Sequence, residues 1–122
     1  MLLLELADCA GGGAASDSST LVRELLACGA GSTEDEPCLS MCVDAVSAAA
    51  CVAAGEGATI DLPALGHRLD PKWAELMDDG GGPLAVRGVV GAVTEVGEFT
   101  YSGGPFGGTE TSMGECSLLC ST

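Results

Sequence analysis

The chain has 122 residues and a formal net charge of −14, because it carries 18 acidic residues and only four lysines and arginines. A field of that sign repels phosphate backbones and anionic lipid surfaces, so nucleic acid and membranes are excluded as partners. The length fits one domain. Hydrophobic residues make up 47% of the sequence but aromatic residues only 3%, which predicts a thin core of leucine, valine and alanine.

The seven cysteines do not indicate a disulfide framework. Their number is odd, and the chain has enough apolar residues to build a core without cross-links. The N-terminal run of leucines is interrupted by Glu5 and has no basic residue before it, so it is typical neither of a signal peptide nor of a membrane span. We therefore predict reduced thiols and a cytoplasmic location.

The first part of the chain predicts a strand, a glycine loop and a helix. Leu2 to Ala7 predicts a short strand that runs into Gly11-Gly12-Gly13, where the absence of side chains permits tight backbone geometry. Residues 16–19 supply candidate N-caps for a helix from Thr20 to Cys28. Gly29 is well placed to end that helix.

The middle of the chain predicts a second helix and a second strand. Residues 30–37 are small, polar and acidic and predict an exposed loop. Leu39 to Ala54 has the alanine content and apolar spacing of a helix, with Asp44 on its solvent-facing side. Ala58 to Leu62 alternates as a strand does, and residues 63–83 predict mostly irregular structure.

The C-terminal part predicts β structure. Leu84 to Val96 is rich in valine and predicts a strand that bulges at a glycine. A turn at 96–98 would bring Phe99 to Tyr101 back as the second arm of a hairpin, and a last strand is expected near Ser117 to Cys120. The predicted fold is α/β: a single domain with a mixed sheet, two main helices and a C-terminal β-hairpin.

The glycine loop is the first candidate site. Successive backbone amides between Gly11 and Thr20 could hold an anion or a carboxylate. The loop has neither the lysine that ends a P-loop nor the spacing of a dinucleotide fingerprint. A tight turn that requires small residues accounts for the same glycines without a ligand.

The residue types that carry catalysis are sparse. The single histidine, His67, leaves no histidine-rich zinc site and has no nucleophile elbow near it, so we expect a loop histidine rather than a catalytic base. Cys38 with Cys42, and Cys116 with Cys120, do not form the paired CxxC knuckles of structural zinc. We predict no catalytic residue and no metal ligand in this chain.

Three segments, in order, resemble the C-terminal domain of the microcystinase C (MlrC) family, metallopeptidases that hydrolyse linearised microcystin and related peptides. Asp8-Cys9-Ala10-Gly11-Gly12-Gly13, with Asp17 and Thr20 after it, is similar to the family's Asp-Asn-Pro-Gly-Gly-Gly segment and the Asp and Thr that follow. Residues 65–71 resemble a Leu-Gly-Gly-Lys segment that ends in Asp-Pro. Residues 102–109 resemble a loop that contains Gly-Pro-Met.

The resemblance implies an α/β domain packed beside an N-terminal domain that carries the zinc ligands. Zinc is then expected in the full-length enzyme and not in this chain alone. Residues 1–122 would be an incomplete C-terminal domain without the N-terminal metal-binding domain, inactive alone, whose partners are that domain and a peptide substrate. The implied substrate-binding residues are Asp8, Gly11, Gly12, Gly13, Asp17, Thr20, Gly66 and Arg68.

The chain also departs from the family pattern. Cys9 and Ala10 replace the usual Asn-Pro, His67 replaces a glycine, and Arg68 stands where the family has lysine. A polar amide and a rigid turn are lost by the first change. Two alternatives therefore stay open: a non-enzymatic domain that binds a small anion or a protein, and a degenerate, inactive fragment.

Overall fold

The computed structural model describes residues 8, 14–31, 37–67 and 82–121. Within these ranges the chain forms two α-helices, five strands and a short 3-10 helix at Gly104–Phe106. In chain order the helices and strands are α1 (Thr20–Ala27), α2 (Ala45–Ala54), β1 (Thr59–Leu65), β2 (Leu84–Thr94), β3 (Glu98–Thr100), β4 (Glu110–Ser112) and β5 (Cys116–Ser121). The predicted α/β class is confirmed. The predicted strand at 2–7 lies outside the described residues.

The chain divides into two compact units. The first unit combines Met1–Asp44 with Pro63–Ala85, and the second combines Ala45–Leu62 with Val86–Thr122. Each unit is therefore assembled from two separate stretches of sequence. Strands β1 and β2 contribute residues to both units.

Helix α1, in the first unit, ends where the sequence predicts. The amide of Gly29 donates to the carbonyl of Leu26 at 3.0 Å, and the amide of Ala30 donates to the carbonyl of Leu25 at 2.9 Å. These two bonds are the pattern of a Schellman motif. Gly29 has φ of 68°, a left-handed conformation that glycine adopts without the steric cost of a Cβ. The predicted stop at Gly29 is confirmed.

Helix α2 is shorter than predicted, because it begins at Ala45 and not at Leu39. The amide of Val43 donates to the carbonyl of Ser16 at 2.7 Å. The backbone before Ala45 therefore bonds to a distant segment instead of extending the helix. The prediction that Asp44 faces solvent from the helix is wrong, since Asp44 precedes the helix and is 7% exposed. Neither α-helix in the described ranges has the length and apolarity needed to cross a membrane.

The core of the second unit lies between α2 and a three-stranded sheet with the order β1-β2-β5. Cys51, Leu62 and Val90 are its buried centre. Helix α2 packs on β5, and β5 pairs antiparallel with β2. The register shifts between Val90 and Ala92, which places a bulge at Gly91 and confirms the predicted bulge at a glycine.

The C-terminal hairpin is formed by β3 and β4, which pair antiparallel with Phe99 opposite Thr111. The prediction that Phe99 to Tyr101 returns along β2 is wrong. In the order β1-β2-β5 both edges of β2 are already paired, so the chain after Gly97 has no free edge there. It forms a separate two-stranded sheet instead.

Candidate functional site

Residues 8, 16–20, 42–44, 66, 67 and 82 form one hydrogen-bonded cluster in the first unit, which we call the Asp8 junction. Asp8 fixes its first loop. The Asp8 carboxylate accepts two backbone bonds of 2.7 Å, Oδ1 from the amide of Ser16 and Oδ2 from the amide of Ser18. Hydrogen bonds to an ionised carboxylate are stronger than bonds between neutral groups. Asp8 therefore holds the path of the chain into α1.

Ser16 has a backbone conformation that residues with a Cβ rarely adopt. Its φ is 58°, in the left-handed region, where a residue other than glycine costs on the order of 1 kcal/mol or more. The Ser16 hydroxyl donates to the carbonyl of Asp8 at 2.9 Å, and its own carbonyl accepts from Val43. Contacts on both sides therefore hold the strained residue in place.

Gly66 and His67 make a second left-handed turn, with φ of 78° and 53°. The amide of His67 donates to the carbonyl of Asp17 at 2.7 Å, and the amide of Gly66 donates to Oδ2 of Asp44 at 3.0 Å. A Cβ added at Gly66 would overlap the Asp17 carbonyl oxygen and lie 3.2 Å from Cβ of Ser19. The turn therefore requires glycine at position 66.

Ser19 connects the start of α1 to two distant segments. Its amide donates to Nε2 of His67 at 3.3 Å, and its hydroxyl donates to the carbonyl of Gly82 at 3.0 Å. Arg23 donates to the same carbonyl at 2.8 Å. Ser19 precedes the first helical residue, but its side chain makes no capping bond to the helix. The predicted N-cap candidate is thus used for a tertiary contact.

The pKa of the Cys42 thiol reflects the burial and the negative charges of the Asp8 junction. Its thiol donates to the carbonyl of Asp17 at 3.5 Å. The pKa of this thiol is raised from 9.0 to about 11. Burial is the largest cause, and the negative charges of Asp44, Asp17 and Asp8 raise the pKa further. Cys42 is therefore protonated at neutral pH, and it is neither an activated nucleophile nor a thiolate ligand.

We expect the raised pKa of Cys42 to make the protein less stable as the pH rises above 9.0. Between pH 9.0 and about 11 the unfolded chain releases this proton while the folded chain retains it, so the free energy of unfolding should fall as pH rises through that window. Cys42→Ser should remove this slope, whereas Cys28→Ser, at an exposed thiol, should leave it. Urea denaturation at a series of pH values checks this. An unchanged slope in Cys42→Ser would contradict it.

The structure brings four of the predicted substrate-binding residues into the Asp8 junction: Asp8, Asp17, Thr20 and Gly66. Thr20 is the first residue of α1, and its amide donates to the hydroxyl of Ser18 at 3.3 Å. The other four residues, Gly11, Gly12, Gly13 and Arg68, lie outside the described ranges.

Sequence reasoning missed several members of the Asp8 junction. Ser16, Ser18, Cys42 and Asp44 were not among the predicted site residues. Asp44 had a usable signal, because an aspartate directly before an alanine-rich run is favoured at a helix N-terminus. The left-handed conformation of His67 had a weak signal in its residue type, because histidine is enriched at positive φ relative to most residues other than glycine.

The described donors do not fit the zinc ion that the family resemblance implies. In residues 8, 14–31, 37–67 and 82–121, no group of three His, Cys, Asp or Glu side chains could hold a metal. Both carboxylate oxygens of Asp8 already accept backbone amides. A cysteine binds zinc only as its thiolate, and the Cys42 thiol keeps its proton at neutral pH.

Comparison with known proteins identifies the family. A family model described as the MlrC C-terminus matches residues 3–121. No curated protein and no solved structure gave a match. The matched range contains every residue of the Asp8 junction and runs through both compact units. The chain therefore belongs to the MlrC C-terminus family.

Proposed function

We propose that this chain is the C-terminal domain of a microcystinase-C-like zinc metallopeptidase that acts on linearised cyclic peptides or related peptides. In this proposal the Asp8 junction forms one wall of the substrate site. The metal-binding residues belong to an N-terminal domain of the parent enzyme, and this chain alone is inactive. Membership of the MlrC C-terminus family supports the parent enzyme, and the geometry of the junction supports its role.

The observation that carries the proposal is a pair of strained residues next to Asp17. Ser16 precedes Asp17 in the chain, and the amide of His67 donates to the Asp17 carbonyl. Ser16 and His67 are the positive-φ residues other than glycine in the described chain, and both are bonded into the same junction. Strain of this kind persists only where the surroundings over-determine it, and it clusters at binding sites and active sites. A scaffold that needed only a tight turn at residue 67 would be less strained with glycine.

The charges of the junction favour a peptide over a small anion. The carboxylates of Asp8, Asp17 and Asp44 all raise the pKa of Cys42, so the local potential is negative. A free phosphate or carboxylate would be repelled by that potential. A peptide backbone, in contrast, is neutral and is not repelled by that potential.

The proposed contribution of this domain is positioning. A wall fixed by short hydrogen bonds can hold a bound peptide in one orientation, and orientation alone supplies a large part of many enzymatic accelerations. The junction has the rigidity for this task, because Asp8, Gly66 and Ser19 each bond to a segment distant in sequence. No chemical step is assigned to its side chains.

The test is complementation. The purified chain is mixed with a metal-bearing N-terminal domain of a related family member, and hydrolysis of a short peptide panel and zinc content are measured for each component and for the mixture. The proposal expects turnover in the mixture only. Metal-dependent turnover by this chain alone, or a folded mixture that binds zinc without any turnover, would overturn it.

Within that assay, Thr20→Val is expected to raise KM about tenfold with kcat little changed, because it removes one hydrogen-bonding hydroxyl from the wall while it keeps the side-chain shape. Thr59→Val is the matched control, since Thr59 is an exposed threonine at the start of β1 in the second unit. Equal KM values for the two variants would remove Thr20 from the proposed wall.

A cytoplasmic location is part of the same proposal. The six cysteines in the described ranges are free thiols, and free thiols are typical of proteins in a reducing compartment.

A further inference from the structure

The hairpin of residues 98–112, which we call the aromatic hairpin, concentrates the aromatic side chains of this protein. The sequence has four aromatic residues, and three of them lie here. Phe99, Tyr101 and Phe106 are 37%, 42% and 62% exposed. From residue 98 to residue 115 every position is exposed except Thr111, which is half-buried. The rings are therefore not part of the hydrophobic core.

The three rings form one cluster. The ring centroids of Phe99 and Tyr101 are 5.1 Å apart in an edge-to-face arrangement, and those of Tyr101 and Phe106 are 5.8 Å apart. Separations in this range are those of favourable aromatic pairs. The cluster is a single apolar surface and not three isolated side chains.

The backbone at the tip is held by its own hydrogen bonds. The amide of Tyr101 donates to the carbonyl of Thr109 at 3.1 Å, and the amide of Gly108 donates to the carbonyl of Tyr101 at 2.8 Å. The amide of Thr109 donates to the carbonyl of Phe106 at 2.9 Å. These bonds continue the β3–β4 ladder beyond Thr100. The aromatic surface is thus arranged before any partner arrives, which lowers the entropy cost of binding.

The charges beside the rings are all negative. Residues 88–122 contain four glutamates and no lysine, arginine or histidine. Two of the glutamates, Glu98 and Glu110, are exposed and belong to the hairpin strands themselves. Alternation along β3 and β4 puts them on the opposite side from Phe99. The hairpin therefore presents an aromatic side and an acidic side.

We propose that the aromatic hairpin is a docking site for a protein segment that carries arginine or lysine beside apolar side chains. An exposed apolar cluster of this kind, with its rings in contact, is typical of an interaction site. The cationic heads stack on the rings, and Glu98 and Glu110, on the opposite side of the hairpin, attract them through the longer-range electrostatic field. The apolar side chains cover the ring cluster.

A second copy of this chain does not fit the same site. Each copy carries a charge of −14 and only four lysines and arginines. Among these, Arg87 already pairs with Asp61 at 3.1 Å, and Arg23 donates to backbone carbonyls. Because each copy carries a net charge of −14, a cationic segment of a different protein fits the hairpin better than a second copy does. This inference does not depend on the proposed peptidase role.

The test uses the full chain and two synthetic peptides, one of alternating arginine and leucine and one of alternating glutamate and leucine, titrated by calorimetry. The arginine peptide should bind saturably and the glutamate peptide should not. Phe106→Ala and Tyr101→Leu should each weaken binding about tenfold. Tyr101→Leu retains apolar bulk, so its loss is specific to the ring. Glu110→Gln should weaken binding about threefold, and less at high salt.

Matched controls separate the hairpin from the general acidity of the chain. Met41→Ala removes an exposed apolar side chain in the first unit, and Glu24→Gln removes an exposed charge on α1. Both should leave the dissociation constant unchanged. No saturable binding of the arginine peptide, or equal effects of Glu24→Gln and Glu110→Gln together with unchanged binding by Phe106→Ala and Tyr101→Leu, would overturn the proposal.

Discussion

Gly66→Ala is expected to lower the free energy of unfolding of the first unit by roughly 3 kcal/mol, as the sum of backbone strain and overpacking. The strain arises because Gly66 has φ of 78°, where alanine is unfavourable. The overpacking arises because the new methyl group would overlap the Asp17 carbonyl oxygen and lie 3.3 Å from the Cys42 sulfur. Backbone at Asp17 cannot move away without losing its bond to His67.

Gly29→Ala is the matched control for this prediction. Gly29 also lies in the first unit with a left-handed φ, 68°, but no atom comes within 4 Å of an added Cβ. Its cost should be that of strain alone, about 1 kcal/mol. Urea denaturation of both variants, followed by circular dichroism, measures the difference. Equal losses would show that the contact with Asp17 does not constrain the turn.

The Gly66 variant also bears on function. If the Asp8 junction is a wall of the substrate site, Gly66→Ala should lose activity in the complementation assay beyond what Gly29→Ala loses. Displacement of His67 would break its bond from the amide of Ser19, and with it the link between the turn and α1. Hydrogen exchange at the amides of residues 66 and 67 would report whether the turn opens.

Local features of the fold were predictable from sequence because local chemistry decides them. Gly29 ends α1 since only glycine adopts the Schellman conformation freely, and Gly91 allows the bulge in β2. The valine-rich sequence after Leu84 predicts β2, and the apolar residues between Ser117 and Cys120 predict β5. In each case the residue type and its neighbours contain the information.

The Asp8 junction was only partly predictable because its contacts join distant segments. The bond between Ser19 and His67 spans 48 residues, and that between Asp44 and Gly66 spans 22. Composition favours helix for residues 39–44, but the tertiary bond from Val43 to Ser16 overrides that preference. The resemblance to the MlrC family named Asp8, Asp17, Thr20 and Gly66, but it gave no indication of the residues that hold them.

The pairing of β3 was mispredicted for a similar reason. Turn residues at 96–98 do predict a reversal of the chain. Which strand receives the returning segment depends on β5, whose residues are paired with β2 from Gly88 to Thr94. A strand that is later in the sequence, β5, takes that edge of β2, and β1 takes the other edge.

Gly88→Ala is expected to destabilise the second unit by about 2–3 kcal/mol, although Gly88 has no left-handed φ and alanine normally stabilises a strand relative to glycine. The added Cβ would lie 2.5 Å from the carbonyl oxygen of Cys120 and 3.0 Å from its carbonyl carbon. Both atoms are backbone of β5, which pairs with β2 at this point. Relief requires the strands to separate, and separation weakens the ladder that holds β5 beside the core.

Gly91→Ala is the control that isolates this effect, since Gly91 lies in the same strand. Its added Cβ would lie 3.3 Å from the sulfur of Cys120 and 3.3 Å from Cδ2 of Leu118. These are side-chain atoms that can rotate away, so the change should stay within about 1 kcal/mol of wild type. Urea denaturation of the two variants gives the comparison. If both are equally stable, β5 moves freely against β2, and a close backbone approach cannot be the reason for glycine at position 88.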